Sequence, residues 1–377
     1  MENVGLGTSF SKRTRGSIDE NFWRGRRVFL TGHTGFKGSW LSVWLTHLGA
    51  KLTGFSLGAP TEINMFELVG AHQGMTSLLG DIRDQQKLTA AIHSAEPEII
   101  IHMAAQPLVR ASYSDPVGTY ATNIMGTVHV LDAVRSCPSV RGVLIVTSDK
   151  CYENREWGWR YRENEAMGGY DPYSSSKGCA ELVTSAYRRS YFNPEAPGKN
   201  RVAIATARAG NVIGGGDWAA DRIVPDAIRA FIAGVPVDVR NPSAVRPWQH
   251  VIDPLHGYLQ LCQQLLSDDA ASYTEGWNFG PHASSECPVE QVLDLLIKNW
   301  GGQASWRNTS DPAALHEAHC LKLDCSKTNL VLGWTPQYSL LEALAMTAEW
   351  YKDYQDKKDL RAVTLRQINS LMQSAAK

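Results

Sequence analysis

Strand-like and helix-like segments alternate over residues 27–206, which predicts an α/β fold: a Rossmann-type, doubly wound parallel sheet with a smaller C-terminal substrate-binding lobe. Three observations carry this prediction. Short, continuous, β-branched runs such as Val143-Leu144-Ile145-Val146 read as parallel strands buried on both faces. Amphipathic stretches separate them, the clearest being Trp40, Leu41, Trp44, Leu45 and Leu48 on one helical face. Gly32, Gly35 and Gly38 lie three apart between the first strand and that helix, where glycine permits a tight turn and lets backbone approach a pyrophosphate.

Residues 1–22 are polar and basic, with Lys12, Arg13 and Arg15, and read as a mobile leader outside the fold. The dinucleotide-binding domain is expected over 23–208. Its first strand is Arg27–Thr31, and the next helix ends near Gly49. Leu52–Ser56 is the second strand, and Leu78-Leu79-Gly80-Asp81 ends the third. A helix spans Gln85–His93, Glu98–Met103 is the fourth strand, and a helix over Asn123–Arg135 leads into Val143–Val146. Tyr173 opens the next helix, and Arg201–Thr206 is the sixth strand. Beyond 208 the alternation weakens. Gly214-Gly215-Gly216-Asp217-Trp218 is a loop, and Pro225, Pro236, Pro242, Pro247 and Pro254 interrupt the segments after it. Residues 209–355 read mainly as the substrate-binding lobe, with Trp277-Asn278-Phe279-Gly280 returning to the first domain, and 356–377 as a polar, helix-prone C-terminal tail.

A chain of 377 residues with 43% hydrophobic and 20% charged residues is an ordinary globular protein. A net charge of −1 gives no reason to expect a nucleic-acid partner. Neither a membrane span nor a signal-peptide core is present in the sequence. Seven cysteines lie scattered with no CxxC pair, so reduced thiols in a cytoplasmic protein are expected. His319, Cys320 and Cys325 are close in sequence but lack metal-ligand spacing, and no metal is expected.

Candidate chemistry concentrates in Val143–Lys177. In parallel sheets it sits at the carboxyl ends of strands, where Ser148, Asp149 and Lys150 fall. Tyr173 and Lys177 are four apart and share a helix face. A free tyrosine ionises near pH ~10, and a lysine one turn away lowers that. Asp81 is placed to accept from an adenine amino group, or to cap a loop. The second strand ends Gly54-Phe55-Ser56-Leu57 without the acid that binds ribose hydroxyls of NAD, and His33 and Lys37 add positive charge near the phosphate loop. These residues alone leave NAD and NADP both open.

With Gly32-x-x-Gly35-Phe36-Lys37-Gly38 and Tyr173-x-x-x-Lys177 in place, the chain resembles the extended short-chain dehydrogenase/reductase family. Gly80-Asp81-Ile82, His102-x-Ala104-Ala105, Asn123-x-x-Gly126-Thr127 and Leu332-Gly333-Trp334-x-Pro336 support the resemblance over about residues 26–340. Ser148-Asp149-Lys150 occupies the place of the Thr-Asp-Glu of nucleotide-sugar 4,6-dehydratases, and the lysine is similar to the CDP-sugar branch. The resemblance implies NAD held by Gly32, Gly35, Phe36, Lys37, Gly38, Asp81, Ile82, Ala104, Ala105, Thr122, Tyr173 and Lys177. It implies a nucleotide-sugar substrate met by Gln106, Arg110, Asn211, Arg222, Ile223, Arg246 and Asn278. It further implies deoxysugar (lipopolysaccharide O-antigen) biosynthesis and a homodimer, or a tetramer, built on Tyr120–Arg135 and Tyr173–Ser190. In that chemistry Tyr173 takes the C4 hydroxyl proton and Ser148 binds the C4 oxygen. Asp149, kept protonated, is the acid for the C6 hydroxyl. Lys150 is either the C5 base, which requires a neutral amine, or a stabiliser of the C4 enolate. The rival within the fold is a nucleotide-sugar 4-epimerase, which has no leaving group for Asp149 to protonate. The rival outside enzymology is a non-catalytic dinucleotide sensor.

Overall fold

Seven parallel strands form the central sheet: β1 (Arg27–Thr31), β2 (Lys51–Ser56), β3 (Met75–Leu79), β4 (Ile99–His102), β5 (Gly142–Val146), β6 (Ala203–Ala209) and β7 (Gly276–Phe279). The computed structural model describes residues 16–193, 202–310 and 321–375. Strand order is β7-β6-β5-β4-β1-β2-β3. The order therefore reverses between β1 and β4, which pair directly, Val28 with Ile99 through Thr31 with His102. A crevice opens at such a switch point beyond the carboxyl ends of the strands. The sixth strand begins at Ala203, and Arg201 lies outside the described residues.

The helices are α1 (Phe36–His47), α2 (Gln85–Ala95), α3 (Gly126–Arg135), α4 (Pro172–Ser190), α5 (Ile223–Ala233), α6 (Ile252–Leu265), α7 (Val289–Trp300), α8 (Leu340–Gln355) and α9 (Leu360–Ala375). Side chains alternate across a strand, so the sheet has two cores. Phe29, Ile100, Val143, Ile145 and Ile204 face Leu88, Ile92, Val130, Leu131 and Val134 of α2 and α3. Leu30, Ile101, Leu144 and Ala205 face the larger core built with Trp40, Trp44, Leu259 and Trp350. That core runs on into Phe231, Leu293 and Leu344 of the second lobe, so the lobes share one apolar interior.

Both chain ends differ from the expected leader and tail. Asp19 caps a helical turn, Glu20–Trp23. Trp23 is fully buried, and its indole N–H donates to Gln263 Oε1 at 2.9 Å. Residues 1–15 lie outside the described residues. At the other end, Leu360, Val363, Ile368 and Leu371 recur at helical spacing and are buried in the main core.

Four histidines are buried and held neutral. Desolvation lowers His33 and His256 from 6.5 to about 4, and His102 and His250 to about 3. Each contributes stability that is complete above pH 6.5 and is lost as pH falls towards its folded value, because the unfolded chain binds the proton first. The slope approaches about 1.4 kcal/mol per pH unit per histidine. The urea midpoint is expected to fall steadily between pH 7 and pH 5; a midpoint flat over that interval contradicts the burial of these rings as neutral species.

Candidate active site

The glycine loop closes on its own backbone. A Cβ on Gly38 would lie 2.0 Å from the Gly32 carbonyl oxygen, and one on Gly32 (φ +79°) would lie 2.7 Å from the amide nitrogen of Ala104. Only glycine fits either position, and the β1 and β4 turns approach each other through them. Helix α1 comes next, with no acid in its first turn and no side-chain cap at Gly35. Its first N–H groups are therefore oriented for an anion. This cradle suits the pyrophosphate of a dinucleotide.

The expected positive charge at this loop is halved. His33 Nε2 hydrogen-bonds to Ser77 Oγ at 2.7 Å, and its ring lies under Gly54. It is neutral at pH 7 because burial outweighs its one backbone hydrogen bond. Lys37 points inward, its ammonium 5.9 Å from the centre of the Tyr258 ring. Desolvation, then Lys177 and Arg222, bring it down to about 8, while Asp149 opposes. Among other expected cofactor residues, Asp81 is held by Arg83, whose Nη2 donates to it at 2.6 Å and keeps its carboxyl below the usual range. Ile82 is buried against the bare backbone of Gly126. Ala104, Ala105 and Thr122 are half-buried, the last in a π-helical turn, Ala121–Met125, ahead of α3.

Beyond β5, Ser148 caps a short 3-10 turn, Asp149–Cys151. Its hydroxyl donates to Asp149 Oδ1 at 2.9 Å and also engages Tyr173 in a hydrogen bond. Asp149 is buried, with its carboxyl against the backbone of Gly210, where a Cβ would lie 2.7 Å from Oδ2. Burial raises its pKa, against the charges of Lys150 and Arg246 and the Ser148 hydrogen bond. Lys150 is half-buried beside it. Tyr173 sits in the first turn of α4, which Asp171 caps by accepting from Ser174 N at 2.9 Å. Burial lifts Tyr173 to about 12, partly offset by Ser148 and Arg222. The expectation that Lys177 lowers Tyr173 is not met. The Lys177 ammonium donates to the Val146 carbonyl at the end of β5 at 3.4 Å, and lies among Glu181 and Cys151; desolvation takes it down to about 8.

The expected substrate residues divide. Arg222 is half-buried, donates to Asp217 Oδ2 at 2.8 Å, and its charge reaches Tyr173 and Lys37. Arg246 acts on Asp149, and Asn211 comes after Gly210 at the same wall. Ile223 opens α5, half-buried, next to Arg222. Three residues stand apart. The Gln106 side-chain amide is consumed by Leu108 and Thr119. Arg110 is paired with Asp221 at 3.1 Å near the surface, where Arg240 joins the same carboxylate at 3.2 Å. Asn278 is fully buried, accepting from Tyr152 and donating to the carbonyls of Tyr161 and Asp324; its amide is spent inside the fold.

A buried ion pair behind the site is absent from the sequence-based expectations. Glu181, one turn past Lys177, accepts from Arg208 Nε at 2.9 Å and Nη2 at 2.8 Å, from Thr206 at 2.7 Å, and from Thr147. Arg208 Nη1 donates to the Tyr152 hydroxyl at 2.7 Å and to the Glu163 carbonyl at 2.9 Å. Thr147 and Tyr152 flank Ser148-Asp149-Lys150, so one ion pair ties both ends of that stretch. An arginine in the buried Ala203–Ala209 strand, whose other residues are apolar save Thr206, is the available signal, since a buried charge requires a partner. Among the described residues no cluster of His, Cys, Asp or Glu suits a metal ion; His319 and Cys320 lie outside them.

A strand-reversal crevice with a glycine cradle, a Tyr-x-x-x-Lys pair and a strand-end serine defines an extended short-chain dehydrogenase/reductase. The family model for GDP-mannose 4,6 dehydratase matches residues 29–347, and the chain belongs to this nucleotide-sugar 4,6-dehydratase family. It is 52% identical over 360 residues (96% of this chain, 100% of the relative) to a CDP-glucose 4,6-dehydratase of Salmonella typhimurium. It is 27% identical to a dTDP-glucose 4,6-dehydratase of Streptomyces antibioticus, over 74% of this chain and 77% of the relative. Among solved structures it is similar to a dTDP-glucose 4,6-dehydratase from Streptomyces venezuelae with NAD bound (TM-score 0.74, 23% identity, 88% of this chain and 99% of that one). It is similar in fold to about the same degree to a UDP-glucose 4-epimerase from Thermotoga maritima (TM-score 0.73, 20% identity, 87% and 99%).

Glu181→Ala leaves the Arg208 guanidinium buried without its counter-charge, a change that typically costs about 3–5 kcal/mol. Urea unfolding at neutral pH is the measurement, and a loss under about 1 kcal/mol is inconsistent with a buried pair.

Proposed function

We propose that this chain is an NAD-dependent hydro-lyase that converts CDP-D-glucose into CDP-4-keto-6-deoxy-D-glucose and water. The observation that carries the reading is Asp149: a buried acid, raised by desolvation, beside Tyr173 and Ser148 at the end of β5. An epimerase shares the fold but expels no C6 hydroxyl, so it has no leaving group for such an acid to protonate. Identity of 52% along the whole of a CDP-glucose 4,6-dehydratase supports the nucleotide.

The glycine cradle and the first turn of α1 would hold the NAD pyrophosphate, with Lys177 and Tyr173 on the nicotinamide side. NAD held there would supply hydride acceptance from C4 and hydride return to C6. Tyr173, as phenolate, accepts the C4 hydroxyl proton; the Ser148 hydrogen bond and the Arg222 charge favour that form, and burial opposes it. Oxidation at C4 acidifies the C5 proton. Lys150 either accepts that proton as a neutral amine or, as ammonium, stabilises the C4 enolate. Asp149 gives its proton to the departing C6 hydroxyl, and desolvation, which raises its pKa, favours the acid form this step requires. Arg246 and Arg222 are suited to the diphosphate, because a guanidinium binds two oxygens at once. Such a product belongs to deoxysugar synthesis, for surface polysaccharide such as the lipopolysaccharide O-antigen.

Lys150→Ala and Asp149→Asn are expected to oxidise C4 in a single turnover yet form product at least about 100-fold more slowly, the usual worth of a general acid or base. Mass and NMR analysis of products from CDP-glucose, dTDP-glucose and GDP-mannose decides the reading. Near-normal 4-keto-6-deoxy product from either variant removes these roles, and conversion of dTDP-glucose alone removes the CDP assignment.

The assembly is read as a homodimer through Tyr120–Arg135 and α4. Exposed Tyr120, Met125 and Leu182 on these segments support it, since apolar side chains left exposed on a pair of helices suit a self-complementary face. Leu182→Glu is expected to halve the mass measured by light scattering; a monomeric wild-type chain contradicts the assignment. The site is read as cytoplasmic, which the free cysteines among the described residues support; no helix among those residues is long and apolar enough to cross a membrane.

A further inference from the structure

Behind the reaction stretch the fold leaves a cavity of about 600 Å³, beside α4 at the β6–β7 edge of the sheet. None of Ser148, Asp149, Lys150, Tyr173 and Lys177 lines it. Its floor is Thr206 with the Glu181–Arg208 pair. Only bare backbone at Gly276 leaves room for the Arg208 guanidinium, which a Cβ there would strike. Charges in the lining close in pairs, with one cation left over. Arg208 holds Glu181, Lys327 holds Glu275, and Arg162 lies 3.8 Å from Asp324. Glu163 accepts from the backbone N–H of Asn278 at 3.0 Å, and burial raises its pKa. Arg188, half-buried near the end of α4, has no ion pair or hydrogen bond among the described residues. The acids acting on it are Glu181 and Glu275, both already engaged, and desolvation lowers its pKa. A desolvated cation without a counter-charge is unfavourable, so this wall is set for an anion.

We infer that this cavity is an effector site, separate from the active site, that binds a small phosphorylated sugar by its phosphoryl group. The planar fork of Arg188 suits two phosphoryl oxygens at once. Arg162 is largely exposed and beyond hydrogen-bond reach of Asp324, so it is available to the same group. Two guanidiniums favour a dianion, hence a phosphate ester over a carboxylate. Ser185 and Asn164 add polar groups to the walls, and Leu182 and Met167 apolar ones. That mixture suits a sugar, and a phosphate ion alone would leave most of the space unfilled. Arg188 follows Tyr173 by about four turns of α4, a distance of ~22 Å, so the ligand does not touch the reacting sugar. The floor is the connection to turnover. A dianion repels the Glu181 carboxylate and attracts Arg208, and that pair secures Thr147 and Tyr152 on either side of Ser148-Asp149-Lys150. The ligand binds better once the pair has loosened, and so shifts the reaction stretch towards a less ordered, slower state. The effect on turnover rests on the dehydratase reading; binding does not. Leu182 also belongs to the proposed dimer face, so a second chain there would border the cavity.

The test is titration calorimetry of the NAD-loaded protein with D-glucose 1-phosphate as the probe. Binding is expected in the wild type and in Arg246→Ala, a change at the active site. In Arg188→Ala and Arg188→Gln it weakens at least about tenfold, as the loss of a charged hydrogen-bonding partner requires. With CDP-glucose as substrate, the probe lowers wild-type kcat about fivefold at unchanged KM and leaves kcat of both Arg188 variants unaffected. Without the probe these variants turn over as the wild type does. Their thermal midpoint is equal or higher, because an unpaired desolvated cation is gone. Absence of binding, binding kept by both Arg188 variants, or binding lost in Arg246→Ala overturns the inference. A raised KM in place of a lowered kcat, or binding with kcat unchanged, overturns it equally. Arg188 variants that alter the mass by light scattering while the wild type binds no probe assign the cavity to the subunit interface instead. If the wild type makes no 4-keto-6-deoxy product, the dehydratase reading fails, and calorimetry still decides the site.

Discussion

The buried Glu181–Arg208 pair is the interaction on which the site depends. It lies on the protein side of the reaction stretch, with both carboxylate oxygens and most guanidinium donors satisfied. Desolvating two charges is unfavourable, and only saturation of this kind compensates. In return the pair fixes Thr147 at one end of Ser148-Asp149-Lys150 and Tyr152 at the other. Tyr152 passes the constraint to Asn278 on β7, and Arg208 passes it to the Glu163 carbonyl. The loop carrying the acid is thereby referenced to α4, β6 and β7 together, and α4 also carries Tyr173 and Lys177.

Above this foundation the site brings many cations around one buried carboxyl. Lys37, Lys150 and Arg246 all act on Asp149, yet desolvation prevails and its pKa is raised. Lys37 and Lys177 repel each other across the same space, and burial lowers both. The pocket thus prefers an anionic guest, and a nucleoside diphosphate with a dinucleotide would relieve that repulsion. Burial that favours the acid form of Asp149 also opposes the phenolate form of Tyr173. The two steps place opposite demands on one desolvated pocket, and Ser148, bonded to both residues, is where they meet.

Much of this is legible in the linear chain, and the exceptions share a cause. Apolar runs and glycine spacing locate the strands of the sheet and the cradle, because local pattern determines both. Ser148, Asp149 and Tyr173 are legible because strand-end and helix-start positions place side chains by local geometry. Family resemblance puts Asn278 among the substrate contacts, but its partners Tyr152, Tyr161 and Asp324, remote in sequence, consume its amide. His33 reads as a charge near the phosphates; the bare Gly54 backbone instead admits its ring beneath β2, where burial keeps it neutral. Lys177 shares a face with Tyr173, yet its long side chain reaches the Val146 carbonyl.

The sequence by itself determined the alternation of strands and helices, the cradle, and the set of groups available for proton transfer. These arise from steric and hydrophobic rules acting over a few residues. Tertiary structure decided which groups are charged and which are spent. Ionisation depends on how much water surrounds a group and on which charges the fold brings near it. Glu181 with Arg208, Asp149 with Arg246, and Tyr258 with Lys37 are each joined by long-range packing, and no local pattern encodes the resulting field.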